Sequence, residues 1–133
     1  MRFDSGVPLV QIPTRNVAEH LRTTVPELDR HLRGRSSIAN YLYGQFLQYF
    51  AEGTNRQDRN PRFPWSKVIW DISAVAWLHN PEWVPSEIVA TSPVLTDDMR
   101  LSGGEGRHNV RVANNVDRDS VFDDLFPRLA GLL

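Results

Sequence analysis

The sequence predicts an α/β protein. Segments with strand character alternate with segments of helical periodicity, which favours an α/β fold over an all-helical one. The length of 133 residues corresponds to about one domain with a single core, so we predict one domain over residues 1–133. Near the start, the apolar run Val7 to Ile12 lies between Gly6 and Pro13. Because a strand this apolar usually has neighbours on both sides, we expect it to be central in the sheet of a larger parent fold and to expose its edge and apolar surface in this chain.

Two helices are predicted in the first half of the chain. Residues 25–27, Val-Pro-Glu, place proline where the first turn of a helix tolerates it. Ser36 and Ser37 are expected to cap a second helix, whose apolar residues recur at i, i+3 and i+4 and would face the core. The members of this predicted core stripe are Ile38, Tyr41, Leu42, Gln45, Phe46, Tyr49 and Phe50.

A polar loop and a compact helix follow. Thr54 to Pro64 contains proline and no periodicity, so it predicts a long exposed loop. The next segment, KVIWDISAVAWLHNP at residues 67–81, predicts a helix from Ile72 to Leu78 that Asn80 and Pro81 end.

The last third predicts two strands and a final helix. Ser86 to Thr91 and Asn109 to Ala113 have strand character, and the glycine-rich LSGGEGRH lies between them as a turn. Asp117 is expected to cap an amphipathic helix. The predicted apolar face of that helix comprises Val121, Phe122, Leu125 and Leu129.

Composition excludes several classes of function. The net charge is −1, from 15 basic and 16 acidic residues, so nothing favours nucleic acid or an anionic membrane as partner. The absence of cysteine excludes disulfides, thiolate chemistry and cysteine-bound metals, and the four histidines lack zinc-type spacing. With no apolar run near 18 residues and no signal-peptide core, we expect a cytoplasmic protein.

Asp71 is the residue that most needs an explanation. It lies between Trp70 and a run of small and apolar residues, and three of the four tryptophans fall in or just after this segment. A carboxylate removed from water costs several kcal/mol unless it is hydrogen-bonded, paired or bound to a cation. Two interpretations remain open from the residues alone: Asp71 is a helix N-cap, or it is a site residue.

Four segments together resemble the carboxy-terminal part of the nucleoside hydrolases, and the resemblance extends over essentially the whole chain. The most specific is the block of an aromatic residue, aspartate, a small residue and Ala-Val-Ala around Asp71. The segments are FDSGVPLVQIP at residues 3–13, KVIWDISAVAWLHNPEWVP at 67–85, LTDDMR at 95–100 and RVANNVDRDSVFDDLF at 111–126. This resemblance implies the carboxy-terminal half of a mainly parallel-sheet, Rossmann-like fold.

The resemblance also implies an activity and its residues. Nucleoside hydrolases cleave the N-glycosidic bond of ribonucleosides with one bound Ca²⁺, and by this resemblance Asp71 is a calcium ligand. Trp70 replaces the histidine that acts as general acid in many members, and is similar to the tryptophan that stacks on the base in the purine-preferring branch. Arg62 lies near the position of a loop arginine of that branch, and by this resemblance it is a catalytic residue that contacts the base or a proton-relay water. Core packing for Trp70 and a solvated loop position for Arg62 are the alternatives, and Lys67 departs from that branch's tyrosine.

The implied site is incomplete in this sequence. The family's amino-terminal acidic motif, Asp-x-Asp-x-x-x-Asp-Asp, has no counterpart before the first strand. Asp117 to Asp124 repeats its aspartate spacing, but the family motif has Pro-Gly in its middle, whereas this segment has Val121 and Phe122 of a buried helix face, so we interpret this match as a capped helix. We therefore expect an inactive isolated chain, with a nucleoside as substrate of the complete enzyme. Homo-oligomerisation or a missing amino-terminal half is expected, and a non-catalytic assembly module is the alternative function.

Overall fold

The computed structural model describes residues 6–52, 65–90, 94–98, 100–102 and 108–133. Within these ranges none of the helices is long and apolar enough to cross a membrane. The helices are α1 (Val25–Leu32), α2 (Ser37–Glu52), α3 (Ile72–His79) and α4 (Arg118–Ala130). The strands are β1 (Val10–Gln11), β2 (Arg22–Thr23), β3 (Lys67–Val68), β4 (Ser86–Val89), β5 (Val94–Leu95), β6 (Leu101–Ser102) and β7 (Val110–Ala113). The chain divides into two compact units, Met1–His20 with Trp70–Val116, and Leu21–Ile69 with Asp117–Leu133.

The first unit contains a three-stranded mixed sheet in the order β1-β7-β4. β1 runs parallel to β7, with Val10 opposite Arg111, and β4 runs antiparallel to β7. β5 and β6 form a separate antiparallel ladder, and α3 belongs to the same unit. The prediction of an α/β fold is confirmed, and the pairings described combine parallel and antiparallel directions.

The first strand is shorter than the sequence predicts. It spans Val10–Gln11 rather than Val7 to Ile12, and Val7 itself is exposed. The reason is its position, because among the described residues β1 pairs with β7 on one side only. Within this chain β1 therefore lies at the edge of its sheet, and the apolar run has fewer neighbours than a central strand would have.

The second unit is built from α1, α2 and α4 with the short β2–β3 ladder. Thr24 caps α1 by accepting a hydrogen bond from the N–H of Glu27 at 3.3 Å, and Ser36 accepts one from the N–H of Ala39 at 3.0 Å. Both caps satisfy N–H groups that a helix start would otherwise leave unpaired. The buried apolar side chains of this unit include Leu28, Leu32, Ala39, Phe46, Val121, Phe122, Phe126 and Ala130.

The buried side of α2 differs from the predicted stripe. Ala39 and Phe46 are buried, whereas most of the predicted stripe points outward. The physical reason is that α2 carries apolar residues around most of its circumference, so periodicity alone does not choose the side that packs. The exposed members are Ile38, Tyr41, Leu42, Gln45 and Tyr49.

Candidate functional site

Trp70 and Asp71 form the turn that leads into α3, and Ser73 holds this turn in place. The Ser73 side chain is buried and its Oγ donates a 2.8 Å hydrogen bond to the carbonyl oxygen of Trp70. The backbone N–H of Ser73 donates to the same oxygen at 3.4 Å. Two bonds to one carbonyl fix the backbone from which Trp70 and Asp71 project.

Asp71 occupies the N-cap position of α3 without acting as a cap. Its backbone dihedrals are φ −80° and ψ −17°, and its side chain makes no capping hydrogen bond. A capping residue normally has extended dihedrals, which let its side chain accept a bond from an N–H of the first turn. The carboxylate of Asp71 is exposed and is not used to satisfy the helix. The N-cap interpretation of Asp71 requires a capping hydrogen bond, and the structure has none at this position.

Asp117 shows what a cap looks like in the same chain. It is extended, with ψ 92°, and its carboxylate accepts bonds from the N–H and the hydroxyl of Ser120 at 3.1 and 2.7 Å. These two bonds hold the pKa of Asp117 below its ordinary value. Val121 and Phe122 are buried, so the spacing of aspartates from Asp117 to Asp124 belongs to a capped helix and the sequence interpretation of this motif is confirmed.

Trp70 and Asp71 line one cavity of about 290 Å³ in the first unit. The opposite wall comes from β1 and the residues that follow it. Trp70 is 37% exposed, which leaves part of its ring available to a ligand. The cavity therefore combines a carboxylate, a hydroxyl and an aromatic face with an apolar wall. The lining residues are Val10, Ile12, Thr14, Ala18, Trp70, Asp71, Ser73 and Ala74.

Sequence reasoning did not single out Thr14 and Ser73. Thr14 comes just after the end of β1, and a general rule of α/β folds places ligands beyond the carboxyl ends of strands. That rule could have identified Thr14. Ser73 gave no comparable signal, because a serine in the first turn of a helix is common and its bond to Trp70 is visible only in three dimensions.

Lys67, the other residue that the resemblance singles out, is not among the residues that line this cavity. Arg62 lies outside the described residues, so its role stays a prediction. Lys67 belongs to the second unit, where its ammonium nitrogen lies 4.4 Å from the centroid of the Tyr49 ring. That ring lies beside Trp65, which also contacts Phe46 and Phe50 in an aromatic cluster.

A calcium ion does not fit the described residues by themselves. Ca²⁺ takes six to eight oxygen ligands, several of them carboxylates. In the described part of the chain no group of three or more His, Cys, Asp or Glu side chains could hold a metal. Asp71 is the one carboxylate that lines the cavity, with Thr14 as a further oxygen donor.

Comparison with known proteins relates this chain to a solved structure. No family model and no curated protein sequence matches the chain. Among solved structures, the plant nucleoside hydrolase PpNRh1 superposes on 97% of this chain with a TM-score of 0.77 and 18% identity. The chain has part of a nucleoside hydrolase fold. It spans 43% of the length of that plant chain, so less than half of that solved nucleoside hydrolase is matched. The predicted resemblance is thereby confirmed at the level of the fold.

Proposed function

We propose that this chain supplies one wall of the active site of a nucleoside hydrolase that cleaves the N-glycosidic bond of purine ribonucleosides. The observation that carries the proposal is the uncapped carboxylate of Asp71 beside the part-exposed ring of Trp70, in one cavity of a nucleoside hydrolase fold. A carboxylate that caps no helix and faces a cavity is available to a ligand.

Trp70 and Asp71 each have a role in this reaction. The Trp70 ring stacks on the purine, as aromatic side chains stack on nucleobases elsewhere. Water attacks the anomeric carbon of the ribose while the bond from that carbon to the base nitrogen breaks, and the base leaves with a proton. The ribose passes through a state that resembles an oxocarbenium ion, and the negative charge of Asp71 favours the positive charge that develops on it.

Asp71 also supplies one ligand to a calcium ion in this proposal. Since the described residues alone do not fit the ion, the remaining ligands would come from outside the described residues. The chain's own contribution is a fixed carboxylate, because Ser73 holds the turn that carries it.

A chimeric enzyme tests the proposal. The segment of the plant nucleoside hydrolase that superposes on this chain is replaced by the chain itself, and release of reducing sugar from inosine, adenosine and uridine is measured. We expect hydrolysis by the chimera, and a loss of at least about a hundredfold in kcat/KM on Asp71→Asn, in line with other losses of groups that stabilise transition-state charge. A folded, active chimera that tolerates Asp71→Asn would contradict the role of Asp71.

A non-catalytic module for assembly or partner binding is the second candidate. It is favoured by the single carboxylate in the cavity, because no group of three potential metal ligands occurs among the residues that the structure describes. A chimera that folds, shown by circular dichroism, but hydrolyses none of the three nucleosides would favour this module over the enzyme.

A further inference from the structure

The first unit contains a second cavity of about 290 Å³, whose lining includes Val10, Trp77, Ile88, Asn109 and Arg111. It lies beside the amino ends of β1 and β7, which are at the same edge of the sheet because the two strands are parallel. The cavity of Trp70 and Asp71 lies towards the other end of β1. Of the described residues that line the two cavities, only Val10 lines both, so the second cavity is separate from the candidate active site.

Three of the lining residues form one row across the sheet. Arg111 on β7 stands opposite Val10 on β1 and opposite Ile88 on β4. Directly paired residues in neighbouring strands have side chains on the same face, so the side chain of Arg111 lies between two apolar ones. Ile88 is 61% exposed, and Trp77 of α3 adds an aromatic wall. The second cavity therefore combines one cationic group with apolar and aromatic surface.

Arg111 is a cation without a counter-ion among the described residues. Its side chain is half-buried, and its Nη1 donates a 3.2 Å hydrogen bond to the carbonyl oxygen of Ser86. A guanidinium has five N–H donors and stays charged in proteins. Within the described part of the chain the other donors of Arg111 have no acceptor, and no carboxylate pairs with it. Because an unpaired charge withdrawn from water is costly, this guanidinium favours an anion beside it.

Ser86 holds both polar walls of the second cavity in place. Its carbonyl oxygen accepts the bond from Arg111, and its Oγ accepts a 3.3 Å bond from the indole Nε1 of Trp77. The indole N–H is thereby used within the protein, and the ring surface is what Trp77 offers to a ligand. Groups that are fixed before a ligand arrives lose less conformational freedom when it binds, which favours binding.

We propose that the second cavity binds a small organic monoanion, namely a carboxylate carried by an aromatic ring. The guanidinium of Arg111 presents a fork of donors that matches a carboxylate, and the ring packs against Trp77 and the apolar row. Arg111 is the one charged group among the described lining residues, so a single negative charge fits better than a phosphate monoester, which carries about two. A volume of about 290 Å³ is small for a ligand pocket and suits a ligand of about one ring.

Benzoate and its neutral isostere benzamide test the class of ligand on the full chain. Heteronuclear NMR follows the indole N–H signal of Trp77, which is assigned by its loss in Trp77→Phe. We expect benzoate to shift this signal with a Kd in about the millimolar range, as befits so small a ligand. Benzamide, which lacks the charge, and acetate, which lacks the ring, should each bind at least tenfold more weakly. Equal affinity for benzoate and benzamide, or no shift of the Trp77 signal at about 10 mM benzoate, would overturn the proposal.

Substitution of Arg111 tests the residue. Arg111→Gln should weaken benzoate binding at least tenfold, and Arg111→Lys, which keeps the charge without the fork, should weaken it less. Arg100→Gln is the matched control, because it removes the same charge from an exposed arginine of the same unit that pairs with Asp98 at 3.3 Å. This control should leave the Kd within twofold. Equal weakening by Arg111→Gln and Arg100→Gln, with circular dichroism unchanged, would overturn the assignment. If Arg111→Gln does not fold, the comparison of benzoate with benzamide on the unmodified chain decides.

Discussion

Two aspartates at helix starts illustrate what a residue's local geometry decides. Asp117 precedes α4, has an extended backbone and accepts two hydrogen bonds from Ser120. Asp71 precedes α3, has a helical backbone and accepts no capping hydrogen bond. From sequence alone both positions predict an N-cap, since aspartate is favoured there. Only one of them acts as a cap, which leaves the carboxylate of Asp71 available to the cavity.

Removing the two carboxylates should therefore have unequal effects on stability. Asp117→Ala should lower the free energy of unfolding by roughly 1 kcal/mol, the usual loss for an N-cap. Asp71→Ala should cost well under half of that, because no capping bond is lost. Urea unfolding followed by circular dichroism measures both. Equal losses would mean that Asp71 stabilises its helix and would weaken its assignment to the cavity.

The cap at Asp117 should also make stability depend on pH in the acid range. Its folded-state pKa lies below the ordinary value of 3.8, because the hydroxyl and N–H of Ser120 bond to the charged carboxylate. Its contribution is therefore complete above about pH 4 and is lost as the pH falls through the folded-state pKa. The difference in free energy of unfolding between the wild type and Asp117→Asn, measured from pH 6 to pH 2, should shrink over the acid end of that range. A difference that is constant with pH would contradict this contribution.

Trp70 gives a prediction about specificity. Stacking of a base on an aromatic ring is worth about 1–3 kcal/mol. In the active chimera, Trp70→Ala should lower kcat/KM for inosine and adenosine about tenfold or more and affect uridine much less. Trp70→Phe keeps an aromatic face and should therefore retain most of the wild-type kcat/KM for inosine and adenosine. If kcat/KM falls equally for the two purine nucleosides and for uridine, or if Trp70→Ala unfolds the protein, Trp70 is a packing residue instead.

At the scale of elements, local signals predict where helices start and end better than which side they bury. The start of α1 at Val25, the end of α3 before Asn80 and Pro81, and the start of α4 after Asp117 agree with the sequence because each depends on neighbouring residues. The buried side of α2 depends on what packs against it, and a helix with apolar residues on several sides leaves that choice to tertiary contacts.

One long-range contact that no sequence signal indicates joins three elements of the second unit. Nη2 of Arg118, the first residue of α4, lies 2.5 and 2.7 Å from the two carboxylate oxygens of Glu27 on α1. Its Nε donates to the carbonyl oxygen of Arg22 on β2 at 3.0 Å. Thr23 donates a further 2.7 Å bond to Glu27. The glutamate and arginine are 91 positions apart, so the pairing follows from the fold and could not be read from spacing.

Breaking this contact should destabilise the second unit more than breaking a surface pair. Arg118→Ala removes charge-assisted bonds from a partly buried partner and should cost about 2 kcal/mol. Arg118→Lys keeps the charge but not the fork of donors, so it should recover only part of the loss. Arg128→Ala is the matched control on the same helix, because its bond to Asp124 is an i, i+4 pair of a kind that contributes little to stability. Similar unfolding midpoints for Arg118→Ala and Arg128→Ala would contradict a structural role for the network.

At the scale of the whole molecule, the class of fold was predictable and its connections were not. β4 and β7 lie within the residues that the sequence marks as strands, and alternation of elements gives the α/β class. The partner of β1 is β7, about 100 residues later, and no local pattern specifies that pairing. For the site, Trp70 and Asp71 were identified through resemblance, whereas their cavity needed the fold to bring the end of β1 beside the start of α3.

The last prediction concerns the chain of 133 residues by itself. With a single carboxylate in the cavity, it should bind Ca²⁺ no more tightly than about the millimolar range, since tighter sites use several carboxylate ligands. It should likewise release no reducing sugar from inosine, adenosine or uridine above the rate of a blank. The measurements are calorimetric titration with Ca²⁺ and the reducing-sugar assay used for the chimera. Asp71→Asn is the control for any calcium binding or sugar release that is observed. Micromolar calcium binding or robust turnover that Asp71→Asn abolishes would show that the chain completes its own site, and that ligands beyond Asp71 lie within its 133 residues.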